Sequence, residues 1–271
     1  MNKFSEVFST AQQFEKRLPD ELVQHIRESS IVLLPVGAME WHGPHMGMGV
    51  DTTHAYAVSL QVAQAVGAVV YPPLFLGTET YRSRKTLRKI GFSGRERIKG
   101  MDFPVNSVKS VYCSPRLLKQ VVRFHVKALR RLGFRYIFLM NGHGADAQIA
   151  VLHRICQKYS SGNKYLVRSL FVLFDDAPAP PGHAGLAETA IMQYLQPESV
   201  CLGKLKSEGK IKNTEYAIVD SETFEKGANE DRTVRYDPRD ATEPLGEQMI
   251  AHSVRRCTEI IKTYMAREEM V

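Results

Sequence analysis

The sequence predicts an α/β domain built on a parallel sheet: the order of its segments indicates alternating strands and helices, and its composition excludes non-globular classes of protein. Short, almost continuously apolar runs alternate with longer segments that have the periodicity of helices. The 271 residues are 44% hydrophobic and 24% charged, which is ordinary globular usage and excludes disordered, collagen-like and coiled-coil proteins. The length fits one large domain, and no linker or internal repeat divides it, so we expect residues 1–271 to form a single domain.

Each expected strand is followed by an expected helix, the order typical of parallel sheets. The strands are predicted at 31–37, 68–74, 134–140 and 164–174, and the helices at 54–67, 116–133, 147–159, 186–195 and 244–266. Asp146 is expected to cap the helix at 147–159. Two irregular regions, 76–114 and 200–242, are long for loops, and long loops in α/β domains are often functional. In helix 116–133 the apolar positions at helical spacing are Leu117, Val121, Phe124, Ala128 and Leu132.

Charge and cysteine usage narrow the class of protein. Lysine and arginine number 36 against 29 acidic residues, a net charge of +7, but no nucleic-acid recognition motif or repeated basic helix face accompanies it. We therefore expect no nucleic-acid partner. No apolar run approaches the ~18 residues of a membrane helix, and residues 1–17 lack the apolar core of a secretory signal. The four cysteines are far apart, as expected for reduced thiols in a cytoplasmic protein: Cys113, Cys156, Cys201 and Cys257.

The richest polar segment follows the strand at 31–37 and contains Glu40, His42 and Asp51. Sites in open parallel sheets form just beyond the carboxyl ends of the strands. Carboxylate and imidazole groups in this position are ligands for zinc, manganese or iron(II). The alternative is a polar surface loop in which Asp51 caps a helix.

Two further segments place metal-ligand side chains after later strands. Asn141-Gly142-His143-Gly144 follows the strand at 134–140, so His143 is expected at the same edge of the sheet. His183 precedes the helix at 186–195, and Glu188 lies in its first turns, where a carboxylate is stabilised by the helix dipole. Taken alone, the His143 segment would look the same as a loop histidine that caps a helix, and the His183–Glu188 segment favours an ordinary capped helix with an exposed glutamate.

Together the three segments supply three carboxylates and up to three imidazoles, which suits a site for two metal ions. One carboxylate can bridge the ions, and a water between them ionises near neutral pH. The segments contain no thiolates, which favours an open catalytic site over a structural zinc site. The candidate residues are Glu40, His42, Asp51, His143, His183 and Glu188.

Three motifs, GAMEWHGPHMGMGVDT, NGHGAD and HAGLAET, resemble in order and spacing the motifs of the creatininase (creatinine amidohydrolase) family. The resemblance covers about residues 30–195. It implies a three-layer α/β/α domain around a mainly parallel sheet. It also implies a hydrolase with two divalent metal ions (Zn, Mn or Fe) and a closed homo-oligomer, usually a hexamer.

The resemblance also implies a role for each candidate residue. Asp51 would bridge the metals, and His183 and Glu188 would be the catalytic pair, with His183 donating a proton. One departure concerns the substrate: Ala145 stands where creatininase proper carries a carboxylate ligand, which argues against creatinine. Glu40, Asp51 and His143 would hold one metal, and His42, Asp51 and Glu188 the other.

We expect a metal-dependent hydrolase of a small cyclic or linear amide, in which a metal-bridging hydroxide attacks the carbonyl. Two alternatives remain open. In the first, the same ligands open a cyclic ketone such as an inosose by breaking a C–C bond; residues 101–115 resemble a segment of family members that act on such rings. In the second, the chain is a non-catalytic metal-binding module. The basic segment 82–99 is expected at the pocket mouth or at a subunit boundary, and its alternative is a solvated basic face. Its cations are Arg82, Arg84, Lys85, Arg88, Lys89, Arg95, Arg97 and Lys99.

Overall fold

A parallel sheet of five strands forms the centre of the computed structural model. Its strands are β1 (Ile31–Gly37), β2 (Val69–Val70), β3 (Leu74–Phe75), β6 (Tyr136–Asn141) and β7 (Leu166–Phe171). The sheet order is β2-β1-β6-β7, and β3 pairs with β1 further along that strand; every pairing is parallel. Outside it, β4 (Gly77–Thr78) pairs with β5 (Tyr112–Cys113), and β8 (Asn213–Thr214) with β9 (Ala217–Ile218). The structure describes residues 12–89, 92–104, 106–161, 164–205, 207, 213–214, 217–218 and 237–269.

Helices cover both faces of this sheet. Alternate side chains of β1 point to opposite faces. Leu33 therefore packs in one core with α2 (Val50–Val66), α6 (Leu186–Leu195) and α7 (Glu243–Glu269). Leu34 packs in the other core with α4 (Pro115–Leu132) and α5 (Asp146–Tyr159). All seven residues of β1 are buried, as expected for a central parallel strand. The predicted three-layer α/β/α architecture is therefore confirmed. The helices are α1 (Pro19–Glu28), α2 (Val50–Val66), α3 (Arg84–Lys89), α4 (Pro115–Leu132), α5 (Asp146–Tyr159), α6 (Leu186–Leu195) and α7 (Glu243–Glu269).

The prediction of which face of α4 packs against the sheet is wrong. Leu117, Phe124 and Leu132 are exposed. Both this stripe and the one that packs on the sheet have helical spacing, so periodicity alone does not decide which meets the core. The stripe that does is Leu118, Val122, Val126 and Leu129.

Three local predictions also need correction. The helix expected from residue 54 begins at Val50, which places Asp51 inside its first turn. The strand expected at 68–74 is split by Pro72-Pro73 into β2 and β3, because proline cannot donate to the ladder. Asp146 does not cap α5: it is the first helical residue, and the cap position belongs to Ala145.

The irregular region 76–114 contains β4, α3 and β5 and builds a small apolar core of its own around Trp41 and Phe103. Most of the region 200–242 lies outside the described residues. All four cysteines are free, with Cys156 and Cys257 buried and Cys201 exposed. Within the described chain, no helix has both the length and the apolar character needed to cross a membrane.

Candidate metal centre

The carboxyl ends of β1 and β6 and the start of α6 bring the three polar segments into one buried cluster. Glu40 and His42 follow β1, Asp51 lies in the first turn of α2, and His143 follows β6. These four are 4% exposed or less. All six candidate residues lie here, in three overlapping groups whose ligand atoms are within 4.8 Å of one another.

One group consists of Glu40, Asp51 and His143. The Nδ1 atom of His143 lies 2.9 Å from Oδ2 of Asp51 and 3.4 Å from Oε2 of Glu40. Two carboxylate oxygens and one imidazole nitrogen therefore face a common point.

A second group consists of His42, Asp51 and Glu188. The Nε2 atom of His42 lies 3.2 Å from Oδ1 of Asp51 and 3.7 Å from Oε2 of Glu188. Asp51 thus belongs to both groups and turns a different oxygen to each, the geometry a bridging carboxylate needs.

His183 joins Glu40 and His42 in the third group. Its Nε2 lies 2.7 Å from the backbone carbonyl oxygen of Trp41, and its Nδ1 lies 3.4 Å from Oε2 of Glu40. A carbonyl oxygen only accepts hydrogen bonds, so Nε2 carries the proton of the neutral ring. The lone pair of His183 is therefore on Nδ1, facing the cluster.

Two glycines let the backbone close around Asp51. A Cβ atom on Gly142 would lie 2.0 Å from the carbonyl oxygen of Asp51, and one on Gly37 would lie 2.7 Å from the backbone nitrogen of Thr52. The ends of β1 and β6 can therefore approach the start of α2 only without side chains at these positions.

Neighbouring groups orient the carboxylates. The hydroxyl of Tyr112 donates a hydrogen bond to Oε1 of Glu40 and accepts one from the backbone nitrogen of Met101 at 3.1 Å. The backbone nitrogen of Ala184 donates to Oε2 of Glu188 at 2.6 Å. The sequence alone does not single out Tyr112, because it lies in the irregular region and outside the three motifs.

The loop that carries His143 is held by buried amide side chains. Oδ1 of Asn141 accepts from the backbone nitrogen of His143 at 3.2 Å and from Nε2 of Gln148 at 2.8 Å. Gln148 in turn accepts from the backbone nitrogen of Thr78 at 3.1 Å. This network ties the loop to α5 and β4.

Burial and mutual charge shift the pKa values of the cluster. Burial opposes ionisation of Glu40, but His143 and His183 outweigh it and lower its pKa to about 2. Burial likewise opposes the charged form of His42, yet Glu188 and Asp51 raise its pKa to about 10. Burial lowers the pKa of His183 to about 4, and burial raises that of Glu188 to about 7. At neutral pH His183 is therefore the neutral imidazole of the cluster.

The donor set fits divalent metal ions. Nδ1 of His42 donates to the backbone carbonyl oxygen of Glu40 at 3.0 Å, which leaves Nε2 pointing at two carboxylates. That Nε2 is buried and has no hydrogen-bond partner. A buried imidazole whose second nitrogen is held by a carbonyl is the usual arrangement of a metal-binding histidine. Mixed carboxylate and imidazole ligands suit Zn, Mn or Fe(II).

The cluster opens into a cleft of about 360 Å³. Glu40, Asp51, His143, His183 and Glu188 all line it, and so does Ala145. Of the described cations in the basic segment 82–99, Arg82 lines the cleft and the others do not. Arg84, Lys85, Arg88, Arg95 and Arg97 are exposed, as the solvated-face alternative expects.

Comparison with known proteins identifies the family. The sequence profile of the creatininase family, described as creatinine amidohydrolase, matches residues 19–261. The chain belongs to the creatininase family. The resemblance noted from its three motifs is thereby confirmed.

Its curated relatives carry three different names, all of hydrolases. The chain is 30% identical over 193 residues to a creatinine amidohydrolase of Pseudomonas putida, covering 65% of this chain and 68% of the relative. It is 24% identical over 240 residues to a mycofactocin precursor peptide peptidase of Mycolicibacterium smegmatis, covering 86% and 85%. It is 25% identical over 149 residues to a 3-dehydro-scyllo-inosose hydrolase of Thermotoga maritima, covering 55% and 41%.

Solved structures of creatininase share the fold. A crystal structure of creatinine amidohydrolase superposes with a TM-score of 0.67 at 23% identity, covering 94% of this chain and 98% of the other. A manganese form has a TM-score of 0.67 at 21% identity, covering 94% and 99%. A mutant described as Zn-Zn type gives 0.67 at 22% identity, with the same coverage.

Proposed function

We propose that this protein is a metal-dependent hydrolase that cleaves the amide bond of a small cyclic or linear substrate. One observation carries the proposal: Asp51 turns one oxygen toward His143 and the other toward His42, between two groups of ligand atoms. A buried carboxylate shared in this way can hold two adjacent divalent ions. Two of the relatives, an amidohydrolase and a peptidase, have names that denote cleavage of amide bonds.

The proposed ligands divide between two ions. When bound, two divalent ions (Zn, Mn or Fe) would supply a water acidic enough to ionise near neutral pH and would polarise the substrate carbonyl. The solved relatives include zinc and manganese forms, which supports these metals. We assign Glu40, Asp51 and His143 to one ion and His42, Asp51 and Glu188 to the other.

We assign proton transfer to His183. Its Nε2–H is held by the carbonyl of Trp41, and its neutral Nδ1 faces the cluster and the cleft. Nδ1 can therefore accept the proton of the attacking water and pass it to the leaving nitrogen. A second role, that of metal ligand, would use the same atom.

One variant separates the two roles of His183. We expect His183→Asn to keep both metals and to lose roughly 10²–10⁴-fold in kcat, the usual share of a general acid–base. Metal analysis and kinetics on the same preparation measure both. Loss of one metal equivalent from His183→Asn would make it a ligand instead.

The function itself is tested with metal-stripped and metal-restored protein on a substrate panel. The panel contains cyclic amides such as creatinine and hydantoin, linear N-formyl amino acids and dipeptides, and an inosose. We expect an amide to be hydrolysed only when metal is restored, and Asp51→Asn to lose both metals and the activity. Asp175→Asn is the matched control, because Asp175 lines the cleft but belongs to none of the ligand groups.

Three outcomes would contradict the proposal. Amide hydrolysis by the metal-stripped protein would show that the reaction does not need the metals. Ring opening of the inosose without any amide hydrolysis would favour C–C cleavage. Metal binding without turnover of any panel member would favour a metal-binding module.

We further propose that residues 1–271 act as one domain in a cytoplasmic homo-oligomer, most simply a hexamer. The family resemblance supports the oligomer, and the four free cysteines support a reducing compartment. Sedimentation of active protein at micromolar concentration tests the oligomer, and a fully active monomer would refute it.

A further inference from the structure

Arg82 is a cation that lines the cleft and forms no direct ion pair with a described carboxylate. Its Nε donates to the backbone carbonyl oxygen of Gly100 at 2.6 Å, and its Nη2 lies 2.9 Å from the sulfur of Met101. None of the described carboxylates forms an ion pair with its guanidinium. Burial lowers the pKa of Arg82, and the nearby charges of Glu79 and Glu40 offset that effect only in part. A partly buried charge without a direct ion pair is costly, and such a group is a candidate to bind a ligand of opposite charge.

The guanidinium is also preorganised. Besides these two contacts, its central carbon lies 5.2 Å from the ring centroid of Phe103, which is fully buried. The side chain is therefore fixed in place before any ligand arrives, while Nη1 has no acceptor among the described residues. A planar fork with free N–H groups matches the oxygens of a carboxylate or phosphate.

A short chain of contacts connects Arg82 to the proposed metal centre. Arg82 contacts the sulfur of Met101, the backbone nitrogen of Met101 donates to Tyr112 at 3.1 Å, and Tyr112 donates to Glu40. Arg82 and Glu40 line the same cleft of about 360 Å³, which is near the lower end of the range for small-molecule sites. One small ligand can therefore reach both.

Glu79 and Glu40 act on Arg82 from a distance, but no described acidic residue of the cleft takes up its N–H groups. Glu79 lines the cleft, but its carboxylate accepts from the backbone nitrogen of Thr80 at 2.6 Å rather than from Arg82. Asp175 is exposed at the rim, where solvent and salt screen its charge. Among the described residues that line the cleft, Arg82 is the one lysine or arginine.

We propose that the substrate is an amide that carries an anionic group, a carboxylate or a phosphate, and that Arg82 binds this group while the scissile carbonyl lies at the Glu40–Asp51–Glu188 cluster. This inference rests on the proposed hydrolase function and adds the substrate class. It makes Arg82 the residue that determines specificity and leaves hydrolysis to the cluster.

The test compares anionic amides with neutral isosteres on metal-loaded protein. The pairs are N-formylglycine with N-formylglycinamide and 5-oxoproline with its carboxamide, and N-formylaminoethyl phosphate with N-formylethanolamine provides the phosphate arm. We expect kcat/KM to favour the anionic member about 10- to 100-fold, and Arg82→Gln to lose most of that ratio. Preference in the phosphate pair alone would identify a phosphate, and preference in the carboxylate pairs alone a carboxylate.

Arg84→Gln is the matched control, because Arg84 is an exposed residue of α3 that does not line the cleft. It should keep the wild-type ratio. Equal kcat/KM for anionic and neutral amides, or a ratio that Arg82→Gln leaves intact, would overturn the proposal while leaving the hydrolase function standing.

A binding measurement keeps the proposal testable if no panel member is turned over. Calorimetric titration of metal-loaded protein with glutarate and with butyrate compares two ligands that differ by one carboxylate. We expect glutarate to bind at least about tenfold more tightly, and Arg82→Gln to abolish the difference. Such a preference without hydrolysis would retain the anion site and refute the hydrolase, whereas equal affinities would refute the anion site.

Discussion

Replacing Gly142 by alanine tests how the backbone positions Asp51. The new Cβ would lie 2.0 Å from the carbonyl oxygen of Asp51, whereas real Cβ atoms stay beyond 3.0 Å, so the end of β6 and the start of α2 must separate by about 1 Å. Both sides of the contact are backbone in close-packed elements, so no side chain can rotate away. Overpacking of this kind costs about 1–3 kcal/mol of folding stability.

The same displacement separates ligand atoms. His143 directly follows Gly142, and its Nδ1 now lies 2.9 Å from Oδ2 of Asp51. We expect Gly142→Ala to lower metal affinity about 10- to 100-fold, as the loss of a supporting contact to a metal site does. Competition with a chromophoric chelator measures the affinity, and thermal unfolding of the metal-free protein measures the stability.

Gly144→Ala is the control from the same motif. Its Cβ would lie 3.3 Å from the Cζ atom of Phe171, a side-chain contact that a small ring movement relieves. It should leave the metal affinity near that of the wild type. A Gly142→Ala protein with wild-type affinity would show that this backbone contact does not position the bridging carboxylate.

Three further predictions concern individual groups of the centre. Glu188→Gln should lose one metal equivalent, because an uncharged amide is a poor ligand. Asp146→Asn, at the exposed start of α5, should keep both metal equivalents. Equal loss from the two variants in metal analysis would show that the carboxylates are wrongly assigned. Tyr112→Phe removes the hydrogen bond to Glu40 and should weaken metal binding about tenfold in the chelator assay, whereas unchanged affinity would make the contact incidental. Metal affinity should rise with pH between about 6 and 8, because His42, with a pKa of about 10, and Glu188, with a pKa of about 7, each hold a proton that the metal must displace. Calorimetry in buffers of different ionisation enthalpy counts the protons released when the metal binds. Release of no proton would contradict the assignment of these two residues as ligands.

The convergence of the ligands could be predicted from the sequence because strand ends have a fixed direction. Glu40 follows β1 and His143 follows β6, and parallel neighbours must end at the same edge of the sheet. The division of the ligands between two metals came from the resemblance of the motifs, and it stays a prediction.

The remaining features depend on packing that periodicity does not encode. Two stripes of α4 have equal helical spacing, and docking on the sheet selected the one that contains Val122 rather than Phe124. Tyr112 and Arg82 lie in a region without regular periodicity, so their positions beside Glu40 and in the cleft emerge only from the folded chain. The sequence shows that segment 82–99 is basic, but it does not show which of its cations lines the cleft.

Anomalous diffraction from crystals grown with manganese or zinc would locate the metal ions relative to Asp51. We expect two metal positions per chain on either side of Asp51, one in contact with Glu40 and His143 and the other with His42 and Glu188. A single metal position, or two positions that do not share Asp51, would contradict this assignment.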